Sequence, residues 1–174
     1  RAEGVLERYV SPESKAVVRT VKDPDGFFTP LRLATMGFAF HSKKVLEPPR
    51  SWQDLLDSRF KDGFGMPNPA LSGTALVSVA ILAQHFGWDF IEHLKSNGAR
   101  VGQGLRQVLE DTLSGDLKTS LALDLLAVEK MERSANLGFT YPEELLVLPS
   151  PIAVIKGTCH NRAAHRWIDF LLSR

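Results

Sequence analysis

Residues 66–75 read Met-Pro-Asn-Pro-Ala-Leu-Ser-Gly-Thr-Ala. The apolar residues Phe64-Gly65-Met66 in front of Pro67 predict a short strand, because proline cannot donate a backbone hydrogen bond to a sheet. A helix is predicted from about Gly73 to Phe86, where apolar residues recur at helical spacing. A strand that leads through a polar turn into a helix is typical of an α/β fold.

The same alternation of strands and helices extends to both sides of this segment. A buried strand is predicted at residues 31–40 and a short capped helix at about residues 51–58. Further strands are predicted at residues 121–123, 145–148 and 152–155, and further helices at about residues 89–96, 104–113, 126–133 and 162–173. The last helix is expected to turn four side chains toward the core: Ala163, Trp167, Phe170 and Leu171. We therefore predict an α/β sandwich that contains parallel strands.

The composition is that of an ordinary globular protein. Of the 174 residues, 44% are hydrophobic and 24% are charged, and the formal net charge is +1. This balance implies no broad attraction to nucleic acid or to an anionic membrane. The single cysteine, Cys159, cannot form an internal disulfide. No apolar run reaches the length of about 18–20 residues that crosses a bilayer. No signal peptide is recognisable in the sequence either, so targeting signals do not indicate the localisation.

The turn before the predicted helix at Gly73 is a candidate anion site. The first N–H groups of a helix have no partner within the helix, and the helix dipole places partial positive charge there. Gly73 allows a ligand to approach the backbone, and Ser72 and Thr74 can add hydroxyl donors. Such a site suits a phosphate, a phosphonate or a carboxylate. The alternative interpretation, that Ser72 simply caps the helix, stays open.

Two further positions resemble the turn at Gly73. Asp124 follows the predicted strand at residues 121–123, and Gln103 lies between two glycines before another predicted helix. Asp124 is either a helix cap or a binding-cleft carboxylate that pairs with an ammonium group or orients a hydroxyl. Gln103 is a candidate for the lining of a pocket. The glycines around it do not extend to GxGxxG, so a dinucleotide site is not predicted.

Motifs for catalysis or metal binding are missing from the sequence. It contains no HExxH pair, no GxSxG elbow and no partners at zinc spacing for Cys159-His160. No two carboxylates stand out as a general acid and base. We therefore predict no catalytic residue, bound metal or cofactor.

Several segments together resemble the family 1 extracellular solute-binding proteins. This family includes binding proteins for ferric iron, 2-aminoethylphosphonate and phosphorylated small molecules. The order and the spacing of the segments make the resemblance specific over nearly the whole chain. The segments are residues 22–26 (KDPDG), 50–57 (RSWQDLLD), 65–69 (GMPNP) with 72–74 (SGT), 87–90 (GWDF), 141–144 (YPEE), 149–157 (PSPIAVIKG) and 169–173 (DFLLS).

The resemblance implies a type II periplasmic-binding-protein fold, with two α/β lobes joined by a hinge and the ligand in the cleft between them. Residues 48–140 would form the second lobe, and residues 1–47 and 141–174 the hinge with an incomplete first lobe. Ser72, Gly73, Thr74, Asp124 and Gln103 would contact the ligand. The resemblance implies a binding protein without enzymatic activity. Its partners would be a small anionic solute and an ABC permease, with no nucleic acid. The implied localisation is periplasmic, or extracellular and membrane-anchored.

The chain departs from the family pattern at two positions, and two other functions stay open. It has Phe40-His41 where the family often has Tyr-Asn, and Asp124-Leu125 where it often has Asp-Tyr. Iron-binding members use neighbouring tyrosines, whereas the two tyrosines here, Tyr9 and Tyr141, lie far apart in the sequence. An organic anion is therefore favoured over ferric iron. The other alternative is a sensor module, in which the same fold is attached to a signalling chain.

Overall fold

The computed structural model describes residues 3–173. The chain divides into two compact units. The larger unit is Ala34–Leu148, and the smaller unit combines the chain up to Leu33 with the chain from Pro149 onward. Two strands, β2 (Phe28–His41) and β7 (Leu146–Ile155), run from one unit into the other. The assignment of residues 48–140 to a second lobe stays a prediction.

The larger unit contains a mixed sheet with the strand order β6-β2-β5-β3-β4. Its other strands are β3 (Phe64–Pro67), β4 (Arg100–Gly102), β5 (Thr119–Leu123) and β6 (Leu137–Thr140). Strand β3 is parallel to β4 and to β5, whereas β2 is antiparallel to β5 and to β6. The predicted parallel strands are therefore confirmed, although β4 and β6 were missed.

Four helices belong to the larger unit: α1 (Gly73–Phe86), α2 (Trp88–Ser96), α3 (Leu105–Ser114) and α4 (Asp124–Met131). The predicted helices are confirmed to within about two residues at their ends. By length and composition, no single helix among the described residues could cross a membrane, although α1 and α2, bent by 112° to each other, pass that test as a pair.

The core of the larger unit lies on both faces of the sheet. On one face, Met36 and Phe38 of β2 belong to a buried cluster with Trp52 and with residues of α1 and α2. On the other face, Ala39 of β2 belongs to a second cluster with Leu109 of α3 and with residues of β5 and α4. Because side chains alternate along a strand, neighbouring residues of β2 pack on opposite faces of the sheet. Helices therefore cover both sides of the sheet.

The helix predicted at residues 51–58 is instead two short 3-10 helices, Gln53–Leu56 and Ser58–Phe60. The predicted cap is nevertheless present. The Asp54 backbone N–H donates to Ser51 Oγ at 3.2 Å, and the Ser51 backbone N–H donates to Asp54 Oδ2 at 3.1 Å. Local side-chain hydrogen bonds were predictable here, but they do not decide how many helical turns follow.

The two strands predicted at residues 145–148 and 152–155 are one strand, β7, which continues through Pro149 and Pro151. An extended strand tolerates the fixed φ of proline. The two prolines are two residues apart, so their nitrogens face the same side of the strand, and the N–H of the residue between them faces the other side. The prediction of a break was therefore wrong, because proline removes donors from one side only.

The smaller unit contains β1 (Leu6–Glu7), which pairs antiparallel with β7, and α5 (Asn161–Leu172). The predicted orientation of α5 is wrong for three of its four side chains. Ala163 is exposed, Trp167 is 58% exposed and Phe170 is 65% exposed, whereas Leu171 is partly buried and Ile168 is buried. The inward stripe of the helix therefore runs along Ala164, Ile168 and Leu172, because these residues recur at helical spacing.

A hydrogen-bonded carboxylate connects α5 to the start of the smaller unit. Asp169 Oδ1 accepts hydrogen bonds from Tyr9 Oη at 2.7 Å and from Ser11 Oγ at 2.6 Å. These bonds favour the charged carboxylate and lower the pKa of Asp169. Burial, together with the Asp169 hydrogen bond and charge, raises the pKa of Tyr9 to about 12.

We expect Asp169 to make the stability of the protein depend on pH in acid. Its pKa is lower in the folded state than in the unfolded chain, so its contribution is complete above the unfolded value of about 4 and is lost as the pH falls through the folded value. Asp169→Asn should therefore flatten the acid limb of a plot of urea midpoint against pH. The exposed Asp89→Asn is the control, and an unchanged acid limb in Asp169→Asn would contradict the expectation.

Candidate functional site

The carboxyl ends of β3, β4 and β5 lie next to one another, because the three strands are adjacent and parallel. The residues that directly follow these ends form what we call the carboxyl edge. Helix α1 begins six residues after Pro67, and α3 and α4 follow β4 and β5 directly or after a short turn. In open α/β sheets ligands bind at such edges, where helix N-termini point toward the same space.

Asn68 shapes the turn between β3 and α1. Its backbone N–H donates to Gly102 O at 2.7 Å, which joins the end of β3 to the end of β4. Its side-chain Oδ1 accepts from Ala70 N at 2.9 Å, and its carbonyl accepts from Leu71 N and Ser72 N. An asparagine side chain that replaces a backbone acceptor in this way stabilises a tight turn. The turn therefore delivers Ser72 to the start of α1 at the carboxyl edge.

In the first turn of α1 one backbone N–H group is capped and two others have no bonded acceptor. Ser72 Oγ accepts from the Ala75 backbone N–H at 3.3 Å. The interpretation of Ser72 as a helix cap is therefore confirmed. Among the described residues, no acceptor is bonded to the backbone N–H groups of Gly73 and Thr74. A Cβ atom built on Gly73 would meet no atom within 4 Å. Two helix donors therefore remain available beside the cap.

The start of α3 lies two strands from the start of α4 and has no side-chain cap. Gly104 precedes the helix, and a Cβ atom built on it would also meet nothing within 4 Å. The Gln103 backbone N–H donates to Gln107 Oε1 at 2.9 Å, which holds the turn. Within residues 3–173, no acceptor is bonded to the N–H groups of Leu105 and Arg106. This second helix start also offers unpaired donors.

Asp124 is the first residue of α4 at the end of β5. Its Oδ1 accepts from the Leu125 backbone N–H at 2.6 Å, and its Oδ2 accepts from Tyr141 Oη at 3.3 Å. In the part of the chain that the structure describes, Asp124 forms no ion pair with a basic side chain. The carboxylate therefore lies at the start of α4, where the helix dipole stabilises negative charge, and it adds hydrogen-bond acceptors to the carboxyl edge.

Tyr141 was not predicted as a site residue. It follows β6, which runs parallel to β5 on the other side of β2, so both strands end at the same edge. Partial burial, with the charge and hydrogen bond of Asp124, raises the pKa of Tyr141. Because β6 was not predicted, the position of Tyr141 at this edge could not be predicted either. The Tyr-Pro-Glu-Glu motif at residues 141–144 was the signal that could have revealed it.

A depression of about 400 Å³ lies beside Tyr141. It is also lined by Thr35 of β2, by Pro142, by Glu143 and by Leu145. Thr35 precedes Met36, which pairs with Leu123 at the end of β5, so Thr35 belongs to the same edge of the sheet. The edge therefore combines a small cavity with hydroxyl and carboxylate groups.

All five predicted site residues lie at the carboxyl edge: Ser72, Gly73 and Thr74 after β3, Gln103 after β4 and Asp124 at the end of β5. Their contact with a ligand stays a prediction. Among the described residues, no group of three or more histidine, cysteine, aspartate or glutamate side chains could hold a metal ion.

A basic depression of about 420 Å³ lies at the opposite edge of the sheet and includes Lys44, Arg59 and Lys118 in its lining. Its three basic side chains already have partners within the protein. Lys44 Nζ and Lys118 Nζ donate to backbone carbonyls at 2.5 Å and 2.6 Å, and Arg59 pairs with Glu47 and Asp57. We therefore regard the carboxyl edge as the candidate site.

Comparisons with known proteins match this chain over its whole length. A family model described as bacterial extracellular solute-binding protein matches residues 1–174. A periplasmic protein of Salmonella typhimurium, provisionally named as 2-aminoethylphosphonate-binding, is 27% identical over 191 residues that cover 99% of this chain and 53% of that protein. The phosphoglycerate transport regulatory protein PgtC of the same organism is 25% identical over 97% of this chain and 44% of its own length.

A solved structure supports the same relationship. The periplasmic binding protein AfuA from Actinobacillus pleuropneumoniae, with exogenous fructose-6-phosphate bound, has a TM-score of 0.86 and 25% identity over 99% of this chain and 58% of that chain. The predicted fold class is therefore confirmed. The chain spans about half the length of the curated relatives that it matches.

Proposed function

Because the chain belongs to the bacterial extracellular solute-binding protein family, we propose that it is part of the substrate-binding component of an ABC importer and captures a small anionic solute. The solute carries a phosphonate, a phosphate or a carboxylate. The protein catalyses no reaction, which agrees with relatives that are named for binding and transport. The periplasmic relatives and the extracellular family support a periplasmic localisation.

The observation that carries this proposal is the pair of open helix starts at the carboxyl edge. The N–H groups of Gly73 and Thr74 in α1 and of Leu105 and Arg106 in α3 have no bonded acceptor among the described residues. Helix N-termini attract anions through these donors and through the helix dipole. Two relatives named for a phosphonate and for phosphoglycerate favour the same ligand chemistry, as does AfuA, whose structure contains exogenous fructose-6-phosphate.

Transport would follow from closure of two lobes around the solute. Closure by a hinge motion is a general way in which two-lobed binding proteins enclose a ligand. The closed form would dock on a membrane permease. We propose that Ser72, Gly73 and Thr74 hold the anion, with Gln103 and Asp124 contacting the remainder of the solute.

Calorimetry of the intact protein tests the ligand class. The panel contains 2-aminoethylphosphonate, 3-phosphoglycerate, fructose 6-phosphate and ferric citrate. We expect at least one of the three organic anions to bind and ferric iron not to bind. Binding of iron alone would overturn the proposal in favour of an iron-binding protein.

Thr74→Val tests the site. Valine keeps the shape of threonine, and no hydrogen bond of the Thr74 hydroxyl is present among the described residues. Loss of a hydroxyl donor to a charged ligand should weaken binding by about 10- to 100-fold. The thermal midpoint should stay nearly unchanged. Ser72→Ala should also weaken binding, but with a loss of about 1 kcal/mol in stability because Ser72 caps α1. Wild-type affinity in both variants would refute the site.

The second candidate function is a ligand-binding sensor attached to a signalling chain. The name of PgtC, a transport regulatory protein, favours it. Both functions use the same binding site. Solute-dependent stimulation of ATP hydrolysis by a reconstituted permease would support the importer, and solute-dependent phosphorylation of a signalling partner would support the sensor.

A further inference from the structure

The C-terminal end of α2 carries the dipeptide Asn97-Gly98, and no other asparagine of the sequence precedes a glycine. An asparagine side chain loses its amide most readily before glycine, because glycine has no Cβ atom to hinder attack by its own backbone nitrogen. Both residues are partly exposed, so water reaches them. The dipeptide is therefore a candidate site of covalent modification, and it lies outside the carboxyl edge.

The turn at the end of α2 requires a glycine at position 98. Gly98 has a φ of +81°, which glycine adopts without strain, and a Cβ atom built on it would overlap Asp62 Oδ1. Its backbone N–H donates to Lys95 O at 2.9 Å and so ends the helix. The fold therefore places a reactive backbone nitrogen directly after an asparagine.

The Asn97 side chain is held by the segment of the two 3-10 helices. Its Nδ2 donates to Leu55 O at 2.8 Å and to Asp57 O at 3.2 Å. The backbone of Asn97 is held as well, since its N–H donates to His93 O at 2.8 Å and its carbonyl accepts from Asp62 N at 2.9 Å. Hydrogen bonds therefore fix both the amide group and the main chain of this residue.

We propose that Asn97 is a deamidation site that the folded end of α2 protects and that local opening exposes. In the reaction the Gly98 nitrogen loses its proton and attacks Cγ of Asn97. A new C–N bond closes a five-membered succinimide, and the side-chain nitrogen leaves as ammonia. Water then opens the ring at either carbonyl carbon and leaves aspartate or isoaspartate, so water is the only co-reactant.

The hydrogen bonds at this site oppose ring closure. The Gly98 N–H is bonded to Lys95 O, and the Asn97 amide is bonded to two carbonyl groups, so the nitrogen and Cγ approach each other only when these bonds break. A reaction that needs such an opening is slowed by the fraction of time that the segment spends closed. The rate of deamidation therefore reports how often the end of α2 opens.

The product fits the folded site poorly. A carboxylate at position 97 would replace the NH2 donor by an oxygen acceptor opposite the carbonyls of Leu55 and Asp57. It would also add negative charge at the C-terminal end of a helix, where the helix dipole disfavours it. Deamidation therefore converts a transient opening of this end of α2 into a permanent one.

Mass spectrometry of the tryptic peptide of residues 96–100 measures the reaction, because the peptide gains the mass difference between OH and NH2. In mildly alkaline buffer, we expect the intact protein to deamidate at least about 10-fold more slowly than a synthetic peptide of residues 93–101. Leu94→Ala, which removes a buried side chain from the last turn of α2, should raise the rate several-fold. The matched control is Leu76→Ala on α1, because Leu76 is exposed and its loss should leave the rate unchanged.

Asn97→Asp tests the consequence of the modification. Asn97→Ala is its reference, because it loses the same donor without adding a charge, and we expect Asn97→Asp to have the lower thermal midpoint of the two. Equal deamidation rates in the intact protein and in the peptide would overturn the protection by the fold. A wild-type thermal midpoint in Asn97→Asp would overturn the permanent opening, because the carboxylate would then fit the closed site. None of these measurements uses a ligand, so the proposed function is tested separately.

Discussion

Replacing Trp52 by alanine is expected to lower the free energy of unfolding by about 3–5 kcal/mol. Trp52 is 2% exposed and contacts the ring of Phe38 edge-on, with the ring centroids 4.8 Å apart. Its indole N–H donates to Glu144 O at 3.0 Å, although the two residues are 92 positions apart in the chain. The substitution would remove core packing and leave the Glu144 carbonyl without this partner.

Urea unfolding followed by circular dichroism measures this effect without depending on tryptophan fluorescence. Trp88→Ala is the matched control, because Trp88 is 65% exposed and its loss should change stability by less than about 1 kcal/mol. Trp52→Phe should fall between wild type and Trp52→Ala, because it keeps an aromatic ring and loses the N–H donor. Equal stability of the two alanine variants would contradict the position of Trp52 in the core.

The helices of the larger unit were predictable from local chemistry. Helix ends that require a positive φ fall at glycines, and Gly87, Gly98 and Gly115 have φ values of +84°, +81° and +87°. Glycine adopts this conformation without the steric cost of a Cβ atom. Each of these signals is contained within a few residues of chain. The sequence therefore indicated where α1, α2 and α3 stop.

The short strands were not predictable because they depend on partners. Strand β6 (Leu137–Thr140) reads Leu-Gly-Phe-Thr, and its glycine lies against the Phe40 ring of β2, which a Cβ atom would contact at 2.3 Å. Three-residue β4 (Arg100–Gly102) is likewise defined by its pairing with β3. Pairing with a neighbouring strand is a tertiary contact. A segment of three or four residues is too short for its hydrophobic periodicity to predict a strand.

The orientation of α5 was wrong for a related reason. Two stripes of this helix carry apolar residues, one with Trp167 and Phe170 and the other with Ile168. Hydrophobicity alone favours the larger aromatic side chains, whereas the structure buries the smaller Ile168. Which stripe faces inward depends on the elements that pack against the helix, and that information lies outside the helix itself.

The candidate site was predictable in its parts and not in its assembly. The turn before Gly73, Gln103 and Asp124 each follow a strand and precede a helix, and this local pattern was visible in the sequence. Their common edge follows from the parallel pairing of β3 with β4 and β5. Tyr141 contacts Asp124 across β2, so this contact follows from the strand order and could not be predicted from the local sequence.

Substitution of Gly73 is expected to separate ligand binding from stability. Gly73 is the first residue of α1, and a Cβ atom there would meet no protein atom within 4 Å. Alanine should therefore leave the free energy of unfolding unchanged or raise it by up to about 1 kcal/mol, because alanine favours helix and restricts the unfolded chain. The same methyl group would occupy the space through which an anion approaches the N–H groups of Gly73 and Thr74.

We expect Gly73→Ala to weaken binding of the organic anion that the calorimetric panel identifies by about 10-fold and Gly73→Val by about 100-fold. These factors correspond to the partial and complete loss of one hydrogen bond to a charged group. Calorimetry and urea unfolding of the same preparations measure the two quantities together. Gly157→Ala is not a suitable control, because Gly157 has a φ of +80° and alanine would be strained there. Gly4 has the same defect, with a φ of +66°.

A control in the larger unit is Ala70→Val, which adds bulk to the exposed turn before Ser72 without touching the N–H groups of α1. It should bind as wild type does. If Gly73→Val also binds as wild type does, the anion does not approach the start of α1. If Gly73→Val unfolds instead, the open space above Gly73 is not present in solution. Loss of affinity at unchanged stability is expected when space around a helix start is kept for a ligand, because nothing in the fold itself requires a glycine at that position.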